Sequence, residues 1–230
     1  MNDSSLNSKN AIIENYHNVQ ERIKNAAESV SRNFSDITLI VVTKTHSFET
    51  IKPLVDIGHI DFGENRVQEA DIKWSPYLGQ FPNIKLHLIG HLQSNKAKRA
   101  TQLFNSIHTI DSQKLVNELE KHIESDENKC KEFFLEINMA NEEQKSGISI
   151  EKIMSHKNHF NTISNLSCDG LMCIPPYEEE PSPHFLLLNK LALKYGFSNL
   201  SMGMSADFEK AIQFGATHVR VGSEIFGQRQ

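Results

Sequence analysis

The sequence predicts a single (β/α)8 barrel of the TIM type with an extra N-terminal helix, and three observations carry that prediction. Short apolar, β-branched runs alternate with helical patterns along the chain, as expected of βα units building a parallel sheet. Eight such runs fit within 230 residues. No linker or break in composition separates them, so residues 1–230 read as one domain. A doubly wound open sheet is the alternative arrangement of the same units.

The elements follow in order. Between residues 11 and 33, Ile12, Val19, Ile23, Ala26, Ala27 and Val30 recur at three- and four-residue steps, the apolar stripe of an amphipathic helix. The first strand is ITLIVV (37–42), a continuous apolar run of the kind that is covered on both faces. HIDF (59–62), IKLHLI (84–89), SIHTI (106–110), EFFLEIN (132–138), LSCDGLM (166–172), SNLSM (198–202) and THVRV (217–221) follow. The segments between them carry helical patterns such as FETIKPLVDIG, SQKLVNELEKHI, IEKIMSHKNHF and PHFLLLNKLALKYG. Several patterns stop at glycine, at Gly58, Gly196 and Gly215, where a left-handed residue ends a helix at least cost. PPYEEEPSP (175–183) is a proline-rich acidic loop.

Composition narrows the function classes. A formal net charge of -5 argues against a general nucleic-acid binder, which needs a basic face to neutralise phosphates. No apolar run approaches the ~18 residues of a membrane span, and MNDSSLNSKN lacks the apolar centre of a secretory signal. Cys130, Cys168 and Cys173 form no CxxC pair and fit a reducing compartment. The expectation is a cytoplasmic monomer.

In a barrel the chemistry lies at the C-terminal ends of the strands. Lys44 and His46 follow strand one, Gly63-Glu64-Asn65-Arg66 strand two, and Gly90-His91-Leu92-Gln93-Ser94-Asn95-Lys96 strand three. Asn138 follows strand five, with Lys145-Ser146-Gly147 further along, and Met202-Gly203-Met204-Ser205 and Gly222-Ser223 follow the last two strands. Most strand-end lysines snorkel to water. A partly desolvated amine can instead attack an aldehyde or ketone and form a Schiff base.

SMGMSADFEKAI and HVRVGSEIFGQR each put a small polar residue before a helical pattern, so each can offer free backbone N–H groups to a phosphate. Ser205 and Ser223 add hydroxyls, and Gly203 and Gly222 let the backbone come close. For one such turn alone, a capping role for Ser205 is the simpler account. Two on adjacent strands favour phosphate. A lysine facing a phosphate site suits either pyridoxal phosphate or a sugar phosphate. Arg220 alternates with Val219 and Val221, so it faces the mouth if the valines face the helices. Opposite a pyridine nitrogen it must donate, because a guanidinium keeps its protons. It could equally pair with a carboxylate such as Glu64.

VVTKTH, FGENRVQE, HLIGHLQSNK, KSGI, GLMCIPP and LSMGMSADFEKAIQFGATHVRVGSEIFG, taken in order, resemble the pyridoxal phosphate homeostasis protein family. Its members are single-domain relatives of the alanine racemase N-terminal barrel. The resemblance runs from about residue 37 to 229. It implies pyridoxal 5'-phosphate (PLP) as cofactor and Lys44 as the Schiff-base lysine. It implies Ser205, Gly222 and Ser223 as phosphate contacts, Arg220 as partner of the pyridine nitrogen, and Asn65, His87 and Met202 as neighbours of the cofactor. Serine follows Gly222 where the family often has threonine, which keeps the hydroxyl. His91 stands at a position the family varies and is given no role.

The function so implied is intracellular PLP homeostasis, holding the cofactor and delivering it, with PLP-dependent apo-enzymes as candidate recipients. A PLP-dependent racemase-like enzyme is the alternative. Racemases of this kind take a second base from a separate β-domain, and none of Tyr16, Tyr77, Tyr177 and Tyr195 has a sequence pointer to the mouth. A class I aldolase is a more distant reading, with only Glu64 near Lys44 as acid or base.

Overall fold

The computed structural model describes residues 3–139, 146–155, 166 and 168–227. Its strands are β1 (Thr38–Val42), β2 (Asp61–Glu64), β3 (Lys85–Leu88), β4 (Ser106–Ile110), β5 (Glu132–Asn138), β6 (Ile148–Ser149), β7 (Gly170–Met172), β8 (Asn199–Met204) and β9 (His218–Val221). Hydrogen-bonded neighbours run β4-β3-β2-β1-β9-β8-β7-β5, and β4 also pairs with β5, which closes an eight-stranded barrel. All of its pairings are parallel. The two-residue β6 adds to the free end of β5 through Ile137 and Ile148 and stands outside the ring. Predicted strands six to eight are therefore β7, β8 and β9.

The helices are α1 (Asp3–Glu28), α2 (Phe48–Asp56), α3 (Val67–Leu78), α4 (Ala97–Leu103), α5 (Gln113–Ile123), α6 (Ile150–Ser155), α7 (Ser182–Tyr195), α8 (Phe208–Gln213) and α9 (Ser223–Phe226). The predicted helix IEKIMSHKNHF is described only as far as Ser155, and Lys145 of KSGI lies outside the described residues. α9, which follows β9, has only four residues. α1 supplies the missing cover by packing against α8, α9 and α2. Its buried stripe of Ile12, Tyr16, Val19, Ile23 and Ala27 is part of the apolar layer between sheet and helices. The N-terminal helix is thus the last stave of the outer ring.

Alternation along each strand sorts residues to two sides. Leu39, Val41, Val219 and Val221 join the apolar layer under the helices. Ile40 and Arg220 are paired in register and face the barrel interior together. That interior is unusually polar for a barrel, since branched aliphatics dominate most of them. His87, His108, Ser106, Ser201, His218 and Arg220 are all buried. Phe134 stacks on His108 with ring centroids 4.2 Å apart and meets His218 edge-on at 5.1 Å.

Candidate functional site at the barrel mouth

The turn after β1 presents Lys44. Thr43 is fully buried, and its hydroxyl donates to Oε1 of Glu64 at 2.7 Å. The same oxygen accepts from Nε1 of Trp74 at 2.9 Å and from Nζ of Lys73 at 2.9 Å. Lys73 also donates to the Thr43 carbonyl at 2.8 Å. Glu64 is therefore a buried brace for the lysine turn, whereas Arg220 bonds elsewhere. Lys44 itself is half-buried. The next residue, Thr45, has φ +69° and donates its backbone N–H to Glu69 at 2.6 Å.

Two further turns face Lys44. Gly203 has φ +91°, and a Cβ there would lie 2.5 Å from that of Ala211, so only glycine lets β8 turn down onto α8. Asp207, rather than Ser205, occupies the N-cap position of α8, and its carboxylate accepts the Met204 N–H at 2.6 Å. The capping role considered for Ser205 is corrected by this geometry. Its Oγ instead accepts the Gly222 N–H at 3.3 Å, tying the β8 turn to the β9 turn. Gly222 packs where a Cβ would stand 3.1 Å from the Val42 carbonyl. The carboxylate of Asp207 is thereby engaged within its own turn.

Arg220 donates to Ser201 Oγ at 2.7 Å and to the Cys173 carbonyl at 3.0 Å. Burial pulls the guanidinium down from its ordinary value, while Cys173, Asp207 and Glu136 oppose that pull. It still acts as a donor only.

A cavity of about 580 Å³ joins these parts. Lys44, Asn65, Ser205, Arg220, Gly222 and Ser223 all line it. His87 and Met202 do not. His87 lies deeper, between Asp61 and His108, and Met202 belongs to the apolar layer. Sequence reasoning left unassigned the apolar wall of Val42, Ile89, Ile174 and Met204, as well as His46, whose ring stacks on Phe226 at 4.3 Å. A second cavity of about 260 Å³ shares Ile174 and holds Glu136 and Asn138. One Glu136 carboxyl oxygen there has no hydrogen-bond partner. The four tyrosines sit elsewhere: Tyr16 bonds His59, Tyr77 stacks on Phe48, Tyr177 is exposed and Tyr195 ends α7.

The sequence profile described as "Alanine racemase, N-terminal domain" matches residues 9–230. Proteins named pyridoxal phosphate homeostasis protein align over nearly the whole chain. The one from Aquifex aeolicus is 35% identical over 221 residues, covering 92% of this chain and 96% of its own. The chain belongs to this family. Its relative from Escherichia coli K12 is 34% identical over 230 residues, covering 96% and 97%. Among solved structures, PipY of Synechococcus elongatus with PLP bound superposes with a TM-score of 0.76 at 30% identity, covering 91% of this chain and all of that one. Alanine racemase from Corynebacterium glutamicum shares the fold, with a TM-score of 0.66 at 15% identity over 96% of this chain and 61% of that one. In this chain the closed barrel, the lysine after β1 and the linked β8 and β9 turns occur together.

Proposed function

We propose that the protein binds PLP at the barrel mouth, holds it as a Schiff base on Lys44, and serves intracellular PLP homeostasis by buffering and delivering the cofactor. The observation that carries this reading is the 580 Å³ cavity, which gathers one amine, two serine hydroxyls on linked turns and one guanidinium. The donor set fits the cofactor group by group. Lys44 meets an aldehyde, Ser205, Ser223 and the Gly222 turn take a phosphate, and Arg220 faces a ring nitrogen. The volume lies within the ordinary range of small-ligand sites. PLP bound in PipY and the shared name of the curated relatives support the same assignment.

When bound, PLP supplies an aldehyde that a lysine amine can hold reversibly. The chain's own residues bind its phosphate and orient its ring. Asn65 on the β2 turn closes the side of the cavity beside Lys44. Delivery to PLP-dependent apo-enzymes belongs to the same proposal, as do a monomeric state and a cytoplasmic address. Three free cysteines support that address, and no helix among the described residues is long and apolar enough to cross a membrane.

The test is an absorbance spectrum of the protein as purified and after incubation with PLP, followed by borohydride reduction and mapping of the modified residue. A visible band that Lys44→Ala abolishes, with the label on Lys44, is the expected outcome. A colourless wild type after incubation would overturn the reading.

A further inference from the structure

A single line of hydrogen bonds runs through the barrel from its N-terminal end to the cavity. Asp61 at the start of β2 holds Nε2 of His87 at 3.0 Å. Nδ1 of His87 lies 3.1 Å from Nε2 of His108. Nδ1 of His108 lies 2.8 Å from Ser201 Oγ, which accepts from Arg220 at 2.7 Å. Ser106 Oγ sits 2.9 Å from the same Nε2 of His108. His87, His108, Ser201 and Arg220 are each at least nine-tenths buried.

The donor and acceptor inventory leaves a neutral chain one direction. The Asp61 carboxylate accepts only, so His87 carries its proton on Nε2 and offers Nδ1 as an acceptor. His108 must then donate from Nε2, because two bare nitrogens facing each other would repel. Its Nδ1 is left to accept the Ser201 hydroxyl hydrogen. Ser201 in turn presents a lone pair to Arg220. Each link follows from the one before it, with Ser106 Oγ turning its own hydrogen away and sharing the Nε2 proton of His108.

We propose that Asp61, His87, His108 and Ser201 are positioning residues, forming a one-directional chain that fixes the Arg220 guanidinium in the cavity wall. A second anchor, the Cys173 carbonyl, holds the other guanidinium nitrogen. With both terminal nitrogens tied back, the plane of Arg220 is set before any ligand arrives. The proposal rests on the PLP reading only in naming what Arg220 then meets, a ring nitrogen that must accept. Because arginine releases no proton, the chain orients and does not conduct. Charged and titratable groups around its lower end are Lys85 and His59 near Asp61, with His218 beside His87 and His108.

The chain is tested first without ligand. In ¹⁵N-labelled protein, the ring-nitrogen shifts of His87 and His108 are expected to report a proton on Nε2 and a bare Nδ1 in both, with slowly exchanging Arg220 Nη–H signals. Asp61→Asn is chosen because the Asp61 side chain is partly exposed, at 17%, and the change is nearly isosteric. It is expected to mix the tautomers of His87 and His108 together and to speed Arg220 exchange. His108 protonated on Nδ1 in the wild type, or His108 and Arg220 signals unmoved by Asp61→Asn, would overturn the chain.

With PLP, Asp61→Asn and His87→Gln should weaken binding about three- to tenfold, the worth of one neutral hydrogen bond, and shift the pH profile of the visible band. A superimposable pH profile in a variant whose urea midpoint matches the wild type would overturn the positioning role. If the wild type shows the expected tautomers but takes up no PLP, the chain stands and the cofactor reading fails.

Discussion

Thr45 has φ +69°, where a β-branched side chain is an outlier costing about 1–3 kcal/mol. The strain sits one residue after Lys44 and is held by the bond to Glu69. Thr45→Gly is expected to raise stability by about 1 kcal/mol, strain relief offsetting glycine's own entropy cost, and to loosen PLP retention. A urea midpoint that falls by a similar amount would count against strain at this turn. Ser205→Ala and Ser223→Ala should each weaken PLP retention by about 1–3 kcal/mol, if each hydroxyl bonds a charged phosphate. Fluorescence titration measures this, and wild-type affinity in both variants would reject the phosphate corner. Lys44, Ser205, Arg220, Gly222 and Ser223 were readable as residue types at strand ends. The role of Glu64 was not, because its partners Lys73 and Trp74 lie on α3 and meet it only in the folded chain. His87 entered only through the family resemblance, as a neighbour of the cofactor, and its place in a hydrogen-bond line was not readable, since periodicity does not say which interior residues touch.

Strands with dense β-branched or aromatic runs were the most legible elements. SIHTI and EFFLEIN match β4 and β5 residue for residue, whereas LSCDGLM shortens to Gly170–Met172 and the two-residue β6 has too little pattern to be seen. The N-terminal helix was predicted as an addition to the barrel, but its place in the ring depends on the brevity of α9, a tertiary fact. α1 reaches the β9 turn through Asn15, whose Nδ2 donates to the Ile225 carbonyl at 3.1 Å. Arg22 bridges Glu209 of α8 and Glu224 of α9, at 2.8 and 2.7 Å. These pairs are more than a third exposed and contribute little by themselves. The apolar stripe does more, and Ile23 is fully buried. Ile23→Ala should cost about 2–4 kcal/mol and weaken phosphate retention beyond any effect of an equally destabilising change on α5, such as Leu119→Ala. Calorimetry and PLP titration on the pair would decide; equal retention in both would remove α1 from any role at the site.

For the molecule as a whole, buried titratable groups make stability depend on pH from two sides. Burial, with His87 adding to it, pulls His218 down to about 3 and drives His108 well below its ordinary 6.5. The unfolded chain binds more protons in that window, so stability is lost as pH falls from about 6.5 towards about 3. Burial, then Asp111, pushes Glu136 up to about 7 from an ordinary 4.5. Its contribution is present below about 4.5 and is lost as pH rises through about 7. Glu136→Gln should therefore gain on the wild type as pH rises across that window, by at most about 1.4 kcal/mol per pH unit. Urea denaturation from pH 4.5 to 8 would give parallel curves if Glu136 titrated normally. The placing of α1 has a consequence in time as well. Asn15 and Ile225 are 210 residues apart in the chain, and contacts of such separation form slowly. During synthesis the face of α1 that packs on α8 and α9 emerges well before them and waits, uncovered, until the segment carrying Ser205, Arg220 and Ser223 is complete. The ring closes on the same residues that build the phosphate corner, so a chain able to grip its ligand is one that has already finished folding.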